Sequence, residues 1–237
     1  MKSNTGLEWR KYGEPFTMIE IDLNQGRGIK AEAGAMIFHK GGIEVVTRKA
    51  GKGVLGTLKR SLAGESFFIN EWIANQADGM IGLAAPYQGD VECLKIEPGR
   101  DWIISKGGYI ASTPALTTTS KFQGVGKALF SGEGAFLLYA MAEKQIEDLF
   151  ICAFGAFRQF ELGSGEKMVI DTGNLVAMEA SAQYSIGRTG TGLKSLALSG
   201  EGLVMNVVGP GKVILQSHAA PNFARWIWPW IQPYVPK

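Results

Sequence analysis

The 237-residue sequence predicts an all-β protein of three repeated, related units in one body. Three observations lead there. A Gly-Glu pair occurs at Gly64-Glu65, Gly132-Glu133 and Gly200-Glu201, in two equal steps of 68 residues; each copy runs into an apolar stretch, Phe67-Phe68-Ile69, Ala135-Phe136-Leu137-Leu138 and Leu203-Val204-Met205. A second set of glycines, Gly26, Gly99 and Gly165, ends a strand-like run in each third, and eight residues after each comes another, Gly34, Gly107 and Gly173. Between these marks lie short runs rich in Val, Ile, Thr and aromatic residues, cut by Gly, Pro, Asn and Ser, the pattern of sandwich or barrel strands.

Taken in order, the first unit covers about 14–90, with strands at 17–23, 28–32, 35–40, 43–47, 67–74, 79–85 and 91–97, the last opening the next unit. The second, 91–156, adds strands at 101–105, 109–113, 115–121, 135–142 and 147–154. The third, 157–218, has strands at 157–162, 167–171, 174–178, 181–186, 203–208 and 211–217. The glycines at fixed offsets belong where a turn needs positive φ. The steps between the second glycine set are 73 and 66 residues, so the units differ by loop insertions. The strands after each Gly-Glu are almost wholly apolar, which predicts that both of their faces are covered. Before each Gly-Glu runs a glycine-rich linker with the makings of one or two helical turns, and its apolar residues (Leu55 and Leu58, Leu129 and Phe130, Leu193 and Leu196) form a candidate contact surface.

The segment Leu58-Lys59-Arg60-Ser61-Leu62-Ala63-Gly64-Glu65-Ser66-Phe67-Phe68-Ile69-Asn70, together with the later Gly-Glu repeats, resembles the altered-inheritance-of-mitochondria family over roughly residues 14–218. The resemblance implies a fold similar to tryptophan RNA-binding attenuation protein, three repeated β-sandwich units related by a pseudo-threefold axis, and implies no agreed enzyme activity. Fungal mitochondrial members are associated with inner-membrane organisation, so the resemblance suggests a scaffold role by analogy.

Composition narrows the function classes. With 46% hydrophobic and 19% charged residues the chain is globular, and a net charge of +2 disfavours a nucleic-acid partner. Cys93 and Cys152 are the two cysteines; they have no Cys-x-x-Cys spacing, so neither a disulfide framework nor a zinc site is indicated, and a reduced, cytoplasmic setting is expected. The N-terminus lacks a signal-peptide core and no apolar run approaches the roughly 20 residues of a membrane span, which leaves a soluble chain or one peripheral to a membrane.

No catalytic constellation emerges. Glu65, Glu133 and Glu201 are candidate axial carboxylates, yet one residue type tripled in equivalent places is what a structural motif does, whereas catalysis needs different groups in complementary roles. Gly51-Lys52-Gly53-Val54-Leu55-Gly56 matches G-x-G-x-x-G in form only, because no long helix follows it. His39 and His218 are the two histidines and no spacing supplies either with partners. Cys152 sits in an apolar run and reads as a small buried hydrophobe. No cofactor or metal is expected.

The tail, 219–237, is the anomaly. It gathers three of the six tryptophans, Trp226, Trp228 and Trp230, with Tyr234 close behind. A helix begun near Asn222 is expected to stop or kink at Pro229. Such a tail serves as a strap over a sheet edge, a contact to a second subunit, or an anchor at a membrane interface. The sequence therefore predicts a non-enzymatic scaffold or assembly protein, self-associating or bound to a protein partner, or peripheral to a membrane. RNA binding by fold analogy, or a small ligand at the unit interfaces, is the alternative.

Overall fold

Alternation of apolar and charged residues makes Met18–Leu23 a one-faced strand: Ile19, Ile21 and Leu23 are buried, while Met18, Glu20 and Asp22 are half-buried on the other side. The same period recurs along the chain. The structure, a computed structural model, describes residues 1–46, 69–105, 107–119, 137–188 and 203–235. The Gly-Glu repeats and the three linkers, with Gly64, Glu65, Leu55, Leu58, Gly132, Glu133, Leu129, Phe130, Gly200, Glu201, Leu193 and Leu196, lie outside the described residues.

The first third holds β1 (Trp9–Tyr12), β2 (Met18–Leu23), β3 (Gly28–Glu32), β4 (Met36–Lys40), β5 (Ile43–Val46), β6 (Ile69–Ala74) and β7 (Gly79–Ala84). The middle third holds β8 (Val91–Ile96), β9 (Trp102–Ser105), β10 (Tyr109–Ser112), β11 (Thr117–Thr119), β12 (Leu137–Met141) and β13 (Glu147–Cys152). The last holds β14 (Phe157–Leu162), β15 (Lys167–Asp171), β16 (Leu175–Glu179), β17 (Gln183–Arg188), β18 (Leu203–Val208) and β19 (Gly211–Gln216), followed by helix α1 (Ala220–Ile231). Among the described residues the chain is thus all-β but for this helix and short 3-10 turns.

Every ladder is antiparallel, and the pairing scheme is the same in each third. Counting from β2, β8 and β14, the first and third strands flank the sixth, and the second and fourth flank the fifth. Two seams join the thirds: β3 pairs β10, and β9 pairs β16. The result is four sheets in the orders β1-β2-β7-β4, β5-β6-β3-β10-β13-β8, β11-β12-β9-β16-β19-β14 and β15-β18-β17. The described strands do not establish a threefold axis: β4 and β15 each end a sheet, and among the described residues no seam joins them.

Three apolar clusters fill the spaces between successive sheets. Phe150 points into the first cluster with Trp9 and Ile21, its ring edge-on to Trp9 at 5.4 Å, while Leu149 and Ile151 point into the second. So β13 is buried along its whole length. The sequence assigned double-sided burial to the strands after each Gly-Glu, but the fifth strands keep partly exposed residues, such as Asn206 in β18. Double coverage follows position at a seam, where one sheet serves two cores, rather than apolar content alone.

Of the six register glycines, Gly26, Gly34, Gly99, Gly107 and Gly165 have positive φ as expected. Gly173 does not. It lies in a 3-10 turn, Thr172–Asn174, where Asp171 Oδ1 accepts from its N–H at 2.9 Å, and a Cβ there would meet the Ala219 side chain. Ahead of the expected start at residue 14, β1 adds to β2, and Arg10 donates both Nη groups to the Asp22 carboxylate at 2.7 Å.

Candidate functional site

The functional candidates the structure describes converge on one end of the molecule, where α1 leaves the body. Helix α1 begins after Ala219, which is extended and buried, with Pro221 in the first turn, where its missing N–H is harmless. The helix does not stop at Pro229: it continues to Ile231 and passes into a 3-10 turn over Gln232–Tyr234. Pro229 gives up one helical hydrogen bond, and the remaining bonds carry the helix past it.

Spacing explains what the helix presents. Phe223, Trp226, Ile227, Trp230, Ile231 and Tyr234 recur at three- and four-residue intervals, so they share one face, whereas Arg225 and Gln232 lie opposite. No residue of α1 is buried; Trp226, Trp230 and Tyr234 are 66%, 71% and 86% exposed. The tail is therefore not a strap. It touches the body at its first turn alone among the described ring contacts: Phe223 stands edge-on to Phe154 at 5.3 Å, and Phe154 in turn packs on Tyr87 and His218.

Beneath that turn lies a groove of about 630 Å³. Pro15, Phe16, Phe154, Phe223 and Trp226 line it, and Phe16 is largely exposed. The floor is set by backbone bonds from Ser217 N to Ala156 O and from His218 N to Phe154 O. Gly155 is required here, since it has φ +85° and a Cβ would fall on Ser217 Oγ and His218 Nδ1. Ser217 Oγ lies 2.8 Å from His218 Nδ1 and accepts from Ala156 N at 3.0 Å. Among the described residues no carboxylate lines the groove to orient the imidazole. His39 lies elsewhere, against Trp72.

Cys152 is fully buried, donates to Gly107 O at 3.0 Å, and has its thiol pushed up to about 12 by burial. Burial likewise raises the Cys93 thiol, which disfavours the thiolate form at both cysteines. Among the described residues no cluster of His, Cys, Asp and Glu could hold a metal ion, and no helix is long and apolar enough to cross a membrane.

Sequence reasoning missed Asp148, which is wholly buried in β13. It accepts from Ser3 Oγ at 2.5 Å, Asn4 N at 2.9 Å, Asn4 Nδ2 at 3.1 Å, Thr5 N at 3.1 Å and Thr5 Oγ1. The signal lay in the sequence: Glu147-Asp148 interrupts an apolar strand, and a buried carboxylate must find donors. Those donors come from the chain's first residues, about 145 positions away, so no local pattern names them.

These features define a class: an all-β protein of serially joined antiparallel sheets with an exposed aromatic helix. Residues 9–218 match the family described as mitochondrial biogenesis AIM24, and the chain belongs to that family. An uncharacterised protein of Streptococcus pyogenes serotype M6 is 28% identical over 215 residues, covering 88% of this chain and 84% of that one. A crystal structure of a Streptococcus pyogenes protein superposes with a TM-score of 0.76 over 97% of this chain and 100% of the other, at 23% identity, and shows the same fold.

Proposed function

We propose that this protein is a non-enzymatic scaffold held at a membrane surface by its C-terminal helix. One observation carries the reading: an aromatic stripe of Phe223, Trp226, Trp230 and Tyr234 that the body leaves in water. Indole and phenol rings are costly to leave exposed, and a contiguous apolar patch of this kind marks an interface. Lipid fits it better than a protein surface for two reasons. Tryptophan and tyrosine favour the headgroup boundary, where an apolar body and a polar tip are both satisfied. Residues 219–237 carry Arg225 and Lys237 and no acidic residue, so nothing repels an anionic leaflet. At about 1.5 Å per residue, the helix is too short to span a bilayer core of about 30 Å and would lie in its plane. Phe16, which lines the same groove and is largely exposed, adds a second apolar contact there.

The test is flotation of the full chain, beside a chain ending at Ala219, with neutral and anionic vesicles. The full chain floats and the shortened chain stays at the bottom if the helix is the anchor. Equal behaviour of the two refutes the reading.

A further inference from the structure

The two seams inside the chain specify a third pairing that the chain does not make with itself. In the first seam Ala31 faces Ala111 and Lys30 faces Ser112. In the second Ile104 faces Ala177, Ile103 faces Met178 and Trp102 faces Glu179. The register glycines place these positions in common. Ala31, Ile104 and Ile170 each follow Gly26, Gly99 and Gly165 by five residues, and Phe38, Ala111 and Ala177 follow Gly34, Gly107 and Gly173 by four. A register shift falls at the same point of all three receiving strands, between Met36 and Phe38, Tyr109 and Ala111, and Leu175 and Ala177. Carried over, the register sets Ile170 opposite Phe38, Val169 opposite His39 and Met168 opposite Lys40.

Exposure marks the same edges. At the seams that are made, Ile110 and Val176 are sealed, whereas Ile37 in the corresponding place of β4 is 51% exposed. Ile103 is 1% exposed, and its counterpart Val169 in β15 is 64% exposed. A sheet edge with exposed β-branched residues is a template for strand addition.

We propose that β4 of one copy pairs antiparallel with β15 of a second copy, fusing a four-stranded and a three-stranded sheet into one of seven strands and joining chains head to tail. The occupant is a second copy because β15 carries the register that β4 lacks. Within one chain the two strands end separate sheets with no ladder between them among the described residues. The contact is heterologous, with different edges on the two sides, so it propagates until a ring closes or a filament grows. It is independent of the tail helix.

The test uses two full-length single-site variants, His39→Cys and Val169→Cys, mixed without lipid under mild oxidation. Facing Cα atoms in an antiparallel pair lie about 4.5–5.5 Å apart, within disulfide reach. The native thiols stay silent: Cys152 is buried and burial raises both. The mixture gives a covalent dimer roughly tenfold above either variant alone, and in sedimentation Val169→Lys shifts the native chain from oligomer to monomer. The proposal is overturned if the mixture forms no more dimer than the single variants. It is also overturned if a chain carrying both His39→Cys and Val169→Cys forms its disulfide internally, or if Val169→Lys leaves the mass unchanged.

Discussion

The Asp148 cage is the sharpest place to test the energetics, because its donors are neutral and, apart from a long contact from Cys93 Sγ at 3.8 Å, come from one short segment. Replacing Ser3 with Ala and Thr5 with Val removes two hydroxyl donors at nearly constant volume and leaves the backbone N–H groups of Asn4 and Thr5 in place. A hydrogen bond to a charged group is worth about 1.5–3 kcal/mol, and leaving a buried acceptor short of donors adds to the loss. Asp148 is fully buried, so solvent does not compensate while the segment stays docked. Water entering as the segment loosens limits the total, so the double variant should lose about 2–4 kcal/mol. For a chain of this size 1 kcal/mol moves the midpoint by about 2–4 °C. A fall of roughly 5–15 °C is expected in a thermal scan at neutral pH. Asp148→Asn should cost a similar amount, because its amide NH2 would meet hydroxyl and N–H donors where the carboxylate accepted them. A fall below about 2 °C in both variants would refute the claim that these bonds hold the first residues to β13.

Other outcomes follow from the same geometry. The variant with Trp226→Ser and Trp230→Ser should bind anionic vesicles at least roughly tenfold more weakly, since burying a large apolar side chain contributes about 1.5–3 kcal/mol. Its thermal midpoint should not change, because both side chains are exposed. At alkaline pH the fold should weaken: burial raises the Cys152 thiol from 9.0 to about 12, so the stability it contributes is present below about pH 9 and lost as pH rises toward 12. Urea midpoints from pH 8 to 11, compared with Cys152→Ala, check this, and a smaller alkaline loss is expected in the variant. On the acid side, partial burial pushes the Asp90 carboxyl up, but hydrogen bonds from Thr17, Lys11 and the Val91 N–H outweigh it and hold it below its ordinary value. Its contribution is present above the ordinary carboxylate range and lost as pH falls through the lowered value, so Thr17→Val should raise the pH of acid unfolding.

Much of the strand order was legible because strands write themselves locally. Ile19, Ile21 and Leu23 alternate with Glu20 and Asp22, and glycines with positive φ mark the turns that end such runs. What was not legible depends on distance in sequence. The burial of β13 on both faces comes from its place beside a seam, and its Glu147-Asp148 pair is tolerable because Thr113, Ser3, Asn4 and Thr5 reach it from elsewhere. Pro229 was half legible: the local rule predicted a stop or a kink there, and the helix has enough other bonds to run on to Ile231. The aromatic periodicity of the tail was readable from the sequence. That the body leaves the stripe exposed depends on where Phe154 and the Gly155 turn place its first residue.

The most direct test of the membrane reading is tryptophan fluorescence of the full chain on anionic vesicles carrying lipids brominated at defined depths. Quenching should be strongest for shallow bromines and should be lost in the Trp226→Ser, Trp230→Ser variant, as expected for a helix lying along the headgroup boundary. Unchanged emission at every depth, with the chain recovered free of vesicles, would contradict the account.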